Sequence, residues 1–215
     1  YIEFARKQAA AAYGVLMMSH MASGDELLKQ ARIMESSGAE YVILMDSAGT
    51  YVPREVEDRV ALLVAGLNIP VGFHAHNNLG LAIANSLAAI TAGATMIDGT
   101  ARGFGAGAGN AALELLVAVL GRCGYETGID LYRALDLADH AATELMREVP
   151  STSSIGIVSS LAGVFSGFKD PVLRAAAEMG VDPREIIFEL GRRKVIAGQE
   201  DFIVEVAIEL SKKSV

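Results

Sequence analysis

The 215-residue chain is long enough for one domain, or one domain with a small appendage, and its 52% hydrophobic content can build a substantial core. A net charge of −8 argues against a nucleic-acid surface, because the one tight basic cluster, Arg192-Arg193-Lys194, suits the last turn of a helix, where cations complement the dipole. No apolar stretch approaches the roughly 20 residues of a spanning helix, no signal-peptide pattern is present, and the single Cys123 excludes an internal disulfide framework, so the expectation is a cytoplasmic protein without membrane contact.

Tyr1 to Tyr13 reads as the middle of an amphipathic helix with Ile2, Ala5 and Ala9 on one stripe, and the expectation is that an N-terminal part precedes it. Val15 to Ser19 is a short apolar run read as a buried strand. A helix is predicted from Asp25 to Ser37, with acidic residues in its first turn and Gly38 after its end. Tyr41 to Met45 repeats the strand signal, Asp46 to Thr50 is a loop, and Pro53 opens a helix to about Leu67. A third strand is predicted over Val71 to His76 and a third helix from Leu79 to Thr91. A fourth strand follows over Ala94 to Asp98, then a loop from Gly99 to Gly109 and a helix from about Asn110 to Leu120.

Four strand, loop and helix units at this spacing mean parallel strands with helical crossovers. Continuous apolar strands predict that both sheet faces are covered. A doubly wound sheet and a (β/α)8 barrel both fit; what decides for the barrel is that Ser19-His20, Asp46-Ser47, His74-His76 and Asp98 all fall at C-terminal strand ends. The fold class is thus α/β, a (β/α)8 TIM-barrel type represented by about its last four βα units, over residues 1–125. Residues 126–215 read as a small α-helical domain, with helices at Leu131 to Val149, Ile155 to Phe165, Pro171 to Met179, Pro183 to Leu190 and Glu200 to Leu210.

His74 and His76 project from one face of a strand about 7 Å apart. Such a pair is either structural or a pair of metal ligands, and its place among polar strand ends favours ligation of Mn, Fe, Co or Zn, incomplete without a carboxylate. Gly103 to Gly109, before Asn110, is a glycine-rich loop without a Lys-Ser/Thr ending. Close backbone approach to a substrate, with Asn110 turned towards the site, accounts for it better than a phosphate cradle or a ligand-free turn does. His20 and His140 read as satisfied or solvated polar residues. Met17, Met18, Met21, Met45 and Met96 read as barrel packing, and Asp46 and Asp98 as groups that orient a loop or a histidine.

The run Phe73 to Val117, with its HxHNxxG and GxGAGAGN patterns, resembles the HMG-CoA-lyase-like class II pyruvate aldolases. The similarity extends to Met17-Met-Ser-His-Met21, Asp46-Ser-Ala-Gly49, Asp130-Leu-Tyr132, Ala162-Gly-Val164 and Gly198-Gln-Glu-Asp201, nearly the whole chain. The resemblance implies divalent-metal-dependent cleavage of 4-hydroxy-2-oxopentanoate, or a close homologue, to pyruvate and an aldehyde, in aromatic or steroid catabolism. His74 and His76 then bind the metal, Mn2+ or else Co2+ or Mg2+, with Asn110 as a further ligand, and Ser47, His74 and Phe165 contact the substrate. The metal acts as a Lewis acid that stabilises the pyruvate enolate. The helical tail is similar to a communication domain that docks an acylating acetaldehyde dehydrogenase, in a hetero-oligomer or dimer.

Two departures accompany the resemblance. The family's first strand carries an Arg-Asp pair and a nearby His with no counterpart in these 215 residues. The expectation is that the third metal ligand and the general base lie outside this chain, in an upstream segment or a separate polypeptide. Phe165 stands where the family has Tyr, so a substrate-orienting hydroxyl is absent. Two alternatives remain at this stage: a Claisen-type acyl-CoA synthase or lyase of the same superfamily, which the GQED-type tail disfavours, and a non-catalytic subunit or fragment lacking the N-terminal half of the site.

Overall fold

A computed structural model describes residues 1–8 and 10–213; Ala9, assigned above to the stripe of the first helix, lies outside the described residues. That helix, α1 (Ile2–Lys7), is shorter than its pattern predicts, and the chain has already turned into β1 (Tyr13–Leu16) where the helix was expected to end. Then come α2 (Gly24–Ser36), β2 (Tyr41–Asp46), α3 (Pro53–Gly66), β3 (Val71–Ala75), α4 (Ala82–Thr91), β4 (Met96–Ile97) and α5 (Leu113–Arg122). Helix starts follow their local chemistry: Ser23 accepts the Glu26 N–H ahead of α2, and Pro53 supplies the preset φ of the first turn of α3.

The four strands pair in chain order and all run parallel, with each pair joined through a helix. This is the TIM-barrel type of α/β fold, carried by four βα units. Register decides what each face does. Tyr13, Val15, Tyr41, Ile43, Met45, Gly72, His74 and Met96 share one face, and Leu16, Val42, Leu44, Val71, Phe73 and Ala75 share the other. The second set is packed under α2, α3 and α4 in the first hydrophobic core, with Val56, Val60, Leu63 and Ala82. The first set has no layer across it among the described residues: Tyr13 is 47% exposed and Val15 36%, and Met45, His74 and Met96 are only partly buried.

The expectation that both faces are covered is therefore corrected. An apolar run says that a strand face shuns water, not what shields it, and this face is the one a closed barrel turns inwards. Met17, read above as barrel packing, follows the end of β1 and is 50% exposed.

Beyond the sheet, α6 (Leu131–Glu144) packs on α5 and on the 3₁₀ turn Ala101–Gly103, burying Ala134, Ala138 and Ala141. It stops five residues short of the predicted Val149. A second, purely helical core begins at Ile155 and joins α7 (Ser154–Ala162), α8 (Lys169–Met179), α9 (Pro183–Arg192) and α10 (Asp201–Lys213) through Phe168, Val172, Ile186, Leu190 and Val206. Asp182 caps α9 ahead of Pro183 by accepting the Arg184 N–H at 2.8 Å. Arg193, in the basic cluster, lies among Glu189, Glu205 and Glu209 rather than on a cationic surface. No helix among the described residues is long and apolar enough to cross a membrane.

Candidate metal centre

β3 delivers the two histidines. Its alternation puts His74 on the open sheet face, and His76, just past the strand's end, returns to the same side with the ring centroids 5.2 Å apart. Asp98, two positions after β4 begins, reaches back so that its Oδ1 lies 2.7 Å from His74 Nδ1. That contact assigns the Nδ1 proton to the carboxylate and leaves Nε2 of His74 with its lone pair outward, the arrangement that carboxylates impose on metal-binding histidines.

His76 is 8% exposed. Burial, and then the neighbouring His74, push its pKa down to about 4, against an opposing hydrogen bond with the Ala106 backbone and the charge of Asp98. The ring is neutral near pH 7. Its Nδ1 is buried and has no hydrogen-bond partner.

Asn110 faces it. The sequence predicts a helix from about Asn110, but α5 starts three residues later, and Asn110 instead forms an antiparallel bridge with His76. The glycine-rich loop folds upon itself to place it there: Asn110 N–H donates to Gly103 O at 2.9 Å, and the Asn110 side-chain amide donates to Phe104 O at 3.0 Å. A Cβ on Gly109 would stand 2.2 Å from Gly103 O, so only glycine permits this closure, and its φ of +88° is costly for any other residue. Asn110 Oδ1 is left buried without a partner.

Two unpartnered lone-pair atoms thus lie on bridged residues beside a carboxylate-oriented imidazole, and nitrogen and oxygen atoms of these kinds are ones a first-row divalent cation accepts. Among the described residues no three His, Cys, Asp or Glu side chains gather into a metal-binding group.

The Asp46-Ser47 strand end is built differently. Asp46, fully buried, accepts the N–H groups of Thr50 at 2.9 Å and Tyr51 at 3.2 Å and so closes its own loop, while burial pushes its pKa up to about 6. Ser47 Oγ accepts the Met18 N–H at 2.9 Å, which leaves its hydroxyl proton for another acceptor. Met18 holds a φ of 50° to make that bond, a strained conformation for a non-glycine residue. Phe165 stacks edge-on with Phe168 at 5.7 Å and comes near Ser47 through the next residue, Ser166, whose N–H donates to Ser47 O at 3.2 Å. His20 bonds Gly163 O at 2.9 Å and thus ties the first strand end to the helical part.

Four polar residues of this region escaped the sequence reading. Asn78, Ser160 and Ser166 are fully or almost fully buried and hydrogen-bonded to the Ser47–Gly49 loop, and Asn85 donates to Tyr51 O at 2.7 Å. Asn78 had a visible signal, a second amide directly after His-x-His-Asn; the two serines had none.

A model of the HMGL-like family matches residues 1–140, and a model of the DmpG-like communication domain matches residues 150–212. The chain belongs to the HMGL-like family. The 4-hydroxy-2-oxovalerate aldolase of Spirochaeta aurantia is 59% identical over 213 residues, covering 99% of this chain and 62% of that protein. The protein of the same name from Pectobacterium atrosepticum is 58% identical over 214 residues, covering 100% and 62%. The chain thus spans about three fifths of the length of these curated relatives. Among solved structures, the carboxyl transferase domain of Rhizobium etli pyruvate carboxylase, determined with oxamate and biotin, superposes with a TM-score of 0.82 at 16% identity, covering 99% of this chain and 39% of that one. At that identity the likeness concerns the fold, which the HMGL-like chain shares.

Proposed function

We propose that this HMGL-like chain carries the histidine side of a divalent-metal-dependent pyruvate aldolase, which cleaves a 4-hydroxy-2-oxo acid such as 4-hydroxy-2-oxopentanoate to pyruvate and an aldehyde. The observation that carries the reading is the buried, partnerless pair His76 Nδ1 and Asn110 Oδ1 beside the Asp98-oriented His74. The names of the Spirochaeta and Pectobacterium relatives support it.

In this reading His74, His76 and Asn110 would hold the ion, Mn2+ in the first instance. When bound, it supplies Lewis acidity towards the substrate's 2-oxo acid end. The chain's own residues do the rest of the positioning. Ser47, with Met18 N–H on its oxygen, turns its proton to the pyruvyl carboxylate. Asp98 holds His74 in the tautomer that offers Nε2. Phe165 presents an apolar edge where a hydroxyl would fix the aldehyde end, so control over that end is looser. No base for the 4-hydroxyl proton and no carboxylate ligand of the ion is assigned among the described residues. In this reading the division falls at 125/126, with the half-barrel before it and the helical part after it, α6 packing back on α5, and the helical part docks an acylating acetaldehyde dehydrogenase in the cytoplasm. The match to a communication domain supports that partner.

The test is pyruvate release from 4-hydroxy-2-oxopentanoate with Mn2+, by this chain alone and by this chain completed with the part of the Spirochaeta relative that it does not span. Pyruvate from the completed form only is the expected result. A completed form that folds, binds Mn2+ and releases none overturns the reading.

A further inference from the structure

Asn78 follows the second histidine by two residues and is fully buried. Its side chain makes three of its four possible hydrogen bonds, each to a separate element. Nδ2 donates to Ala48 O at 3.0 Å and to Ser166 Oγ at 2.9 Å, and Oδ1 accepts the Ala108 N–H at 2.9 Å. Ser166 closes the figure by donating from Oγ to Ser47 O at 3.1 Å. The glycine-rich loop is shaped around this amide: a Cβ on Gly107 would stand 2.7 Å from Asn78 Oδ1 and 3.1 Å from Ser166 Cβ.

A buried amide can serve packing alone. Here each arm ends one or two residues from a different candidate site residue: Ala48 beside Ser47, Ala108 before Asn110, and Ser166 after Phe165, while Asn78 itself follows His76. The Asn77 N–H to Gly109 O bond at 2.8 Å runs parallel to the Ala108 arm and keeps His76 in register with Asn110. The knot contains no charged group, so its geometry depends on every bond being made.

We infer that Asn78 is a positioning residue that sets the Ser47 loop, the Ala108–Asn110 segment and the Phe165–Ser166 turn of the helical part against the His74–His76 pair. A displacement of the helical part at Ser166 is thereby felt at the substrate-binding and metal-binding positions. The choice of pyruvate as probe rests on the aldolase reading; the coupling itself does not.

Ser166→Ala tests it, because the Ser166 N–H to Ser47 O bond survives and the turn keeps its backbone anchor. In the variant we expect amide hydrogen exchange at Ala108, which bonds Asn78 and not Ser166, to accelerate about fivefold or more. Exchange at Val206 and Ala207 in the helical core stays within about twofold of the parent. Pyruvate affinity of the Mn2+-loaded completed protein falls about tenfold. Gly107→Ala, which drives a methyl into Asn78 Oδ1, reproduces the Ala108 effect from the opposite side. Unchanged exchange at Ala108, acceleration shared equally by the helical core, or pyruvate affinity equal to the parent's each overturns the inference. Exchange requires neither metal nor substrate, so a parent protein that never binds pyruvate counts against the aldolase reading while the Ala108 result still decides the role of Asn78.

Discussion

The half-barrel and the helical part bury polar groups in opposite ways. Around the strand ends, Asp46, Ser47, His76 and Asn78 lie inside, two of the site's lone-pair atoms have no partner, and Met18 and Arg102 hold left-handed backbone conformations. In the helical part the core around Phe168 and Phe165 is otherwise aliphatic, the buried Ser160 and Ser166 turn to the Ser47–Gly49 loop, and the charged groups of Arg193, Glu189, Glu205 and Glu209 stay at the rim. One region keeps unsatisfied acceptor atoms, which proteins tolerate where a ligand is to be met; the other has none among its described residues, although Lys194 there also holds a left-handed φ of 54°. Variants that separate stability from binding should therefore behave differently in the two.

The largest effect expected is on folding. Phe168, 1% exposed at the centre of the helical core, should cost about 4 kcal/mol when changed to Ala, read by urea denaturation. By contrast, His76→Ala should cost clearly less, because the cavity and the lost Ala106 hydrogen bond are partly offset by removing a buried Nδ1 that has no partner. A cost as large as that of Phe168→Ala would erase the contrast.

Asp46 gives a pH test of the same comparison. Its folded pKa of about 6 lies above the ordinary 3.8, so between these values the folded chain holds a proton that the unfolded chain has released. Stability from this group is present below about pH 4 and is lost as pH rises through 6, an effect on the order of 3 kcal/mol. Wild type should lose that stability relative to Asp46→Asn between pH 4 and 6.5, while the gap stays flat above pH 7. A gap that widens in wild type's favour with rising pH contradicts the burial argument.

Asp98→Asn should weaken Mn2+ binding by about tenfold, since the histidine loses the partner that fixes its tautomer, with thermal stability nearly unchanged. Smallest of all, Arg193→Met should lower the denaturation midpoint slightly at low salt and not at 1 M salt, where the screening length is about 3 Å.

How much of this could be read from residues alone differs between the regions for the same reason. Three strands were legible as short continuous apolar runs, and the His-x-His pair by the period-two spacing that puts its side chains on one face. By contrast, β1 covers Tyr13–Leu16 rather than the predicted Val15 to Ser19, whose end turns into the 3₁₀ segment Ser19–Met21. The uncovered sheet face was not, because Val15 or Ile43 is equally apolar whether helices or other strands cover it. β4 shrank to Met96–Ile97, since few of its backbone groups find partners beyond β3. The helices of the second core were visible from Asp182-Pro183 and the aliphatic periodicity. The Asn78 knot was invisible: its bonds span 30 and 88 residues, and a serine at 166 carries no local mark of the amide it meets.

The central claim is that His74 and His76 are metal ligands held ready by Asp98 and Asn110. Its most direct test is Mn2+ titration of the completed protein, followed by electron paramagnetic resonance, in the parent and in the His74→Ala/His76→Ala double variant. The account predicts at least a hundredfold loss of affinity in the double variant with folding stability retained; Mn2+ affinity equal to the parent's would contradict it.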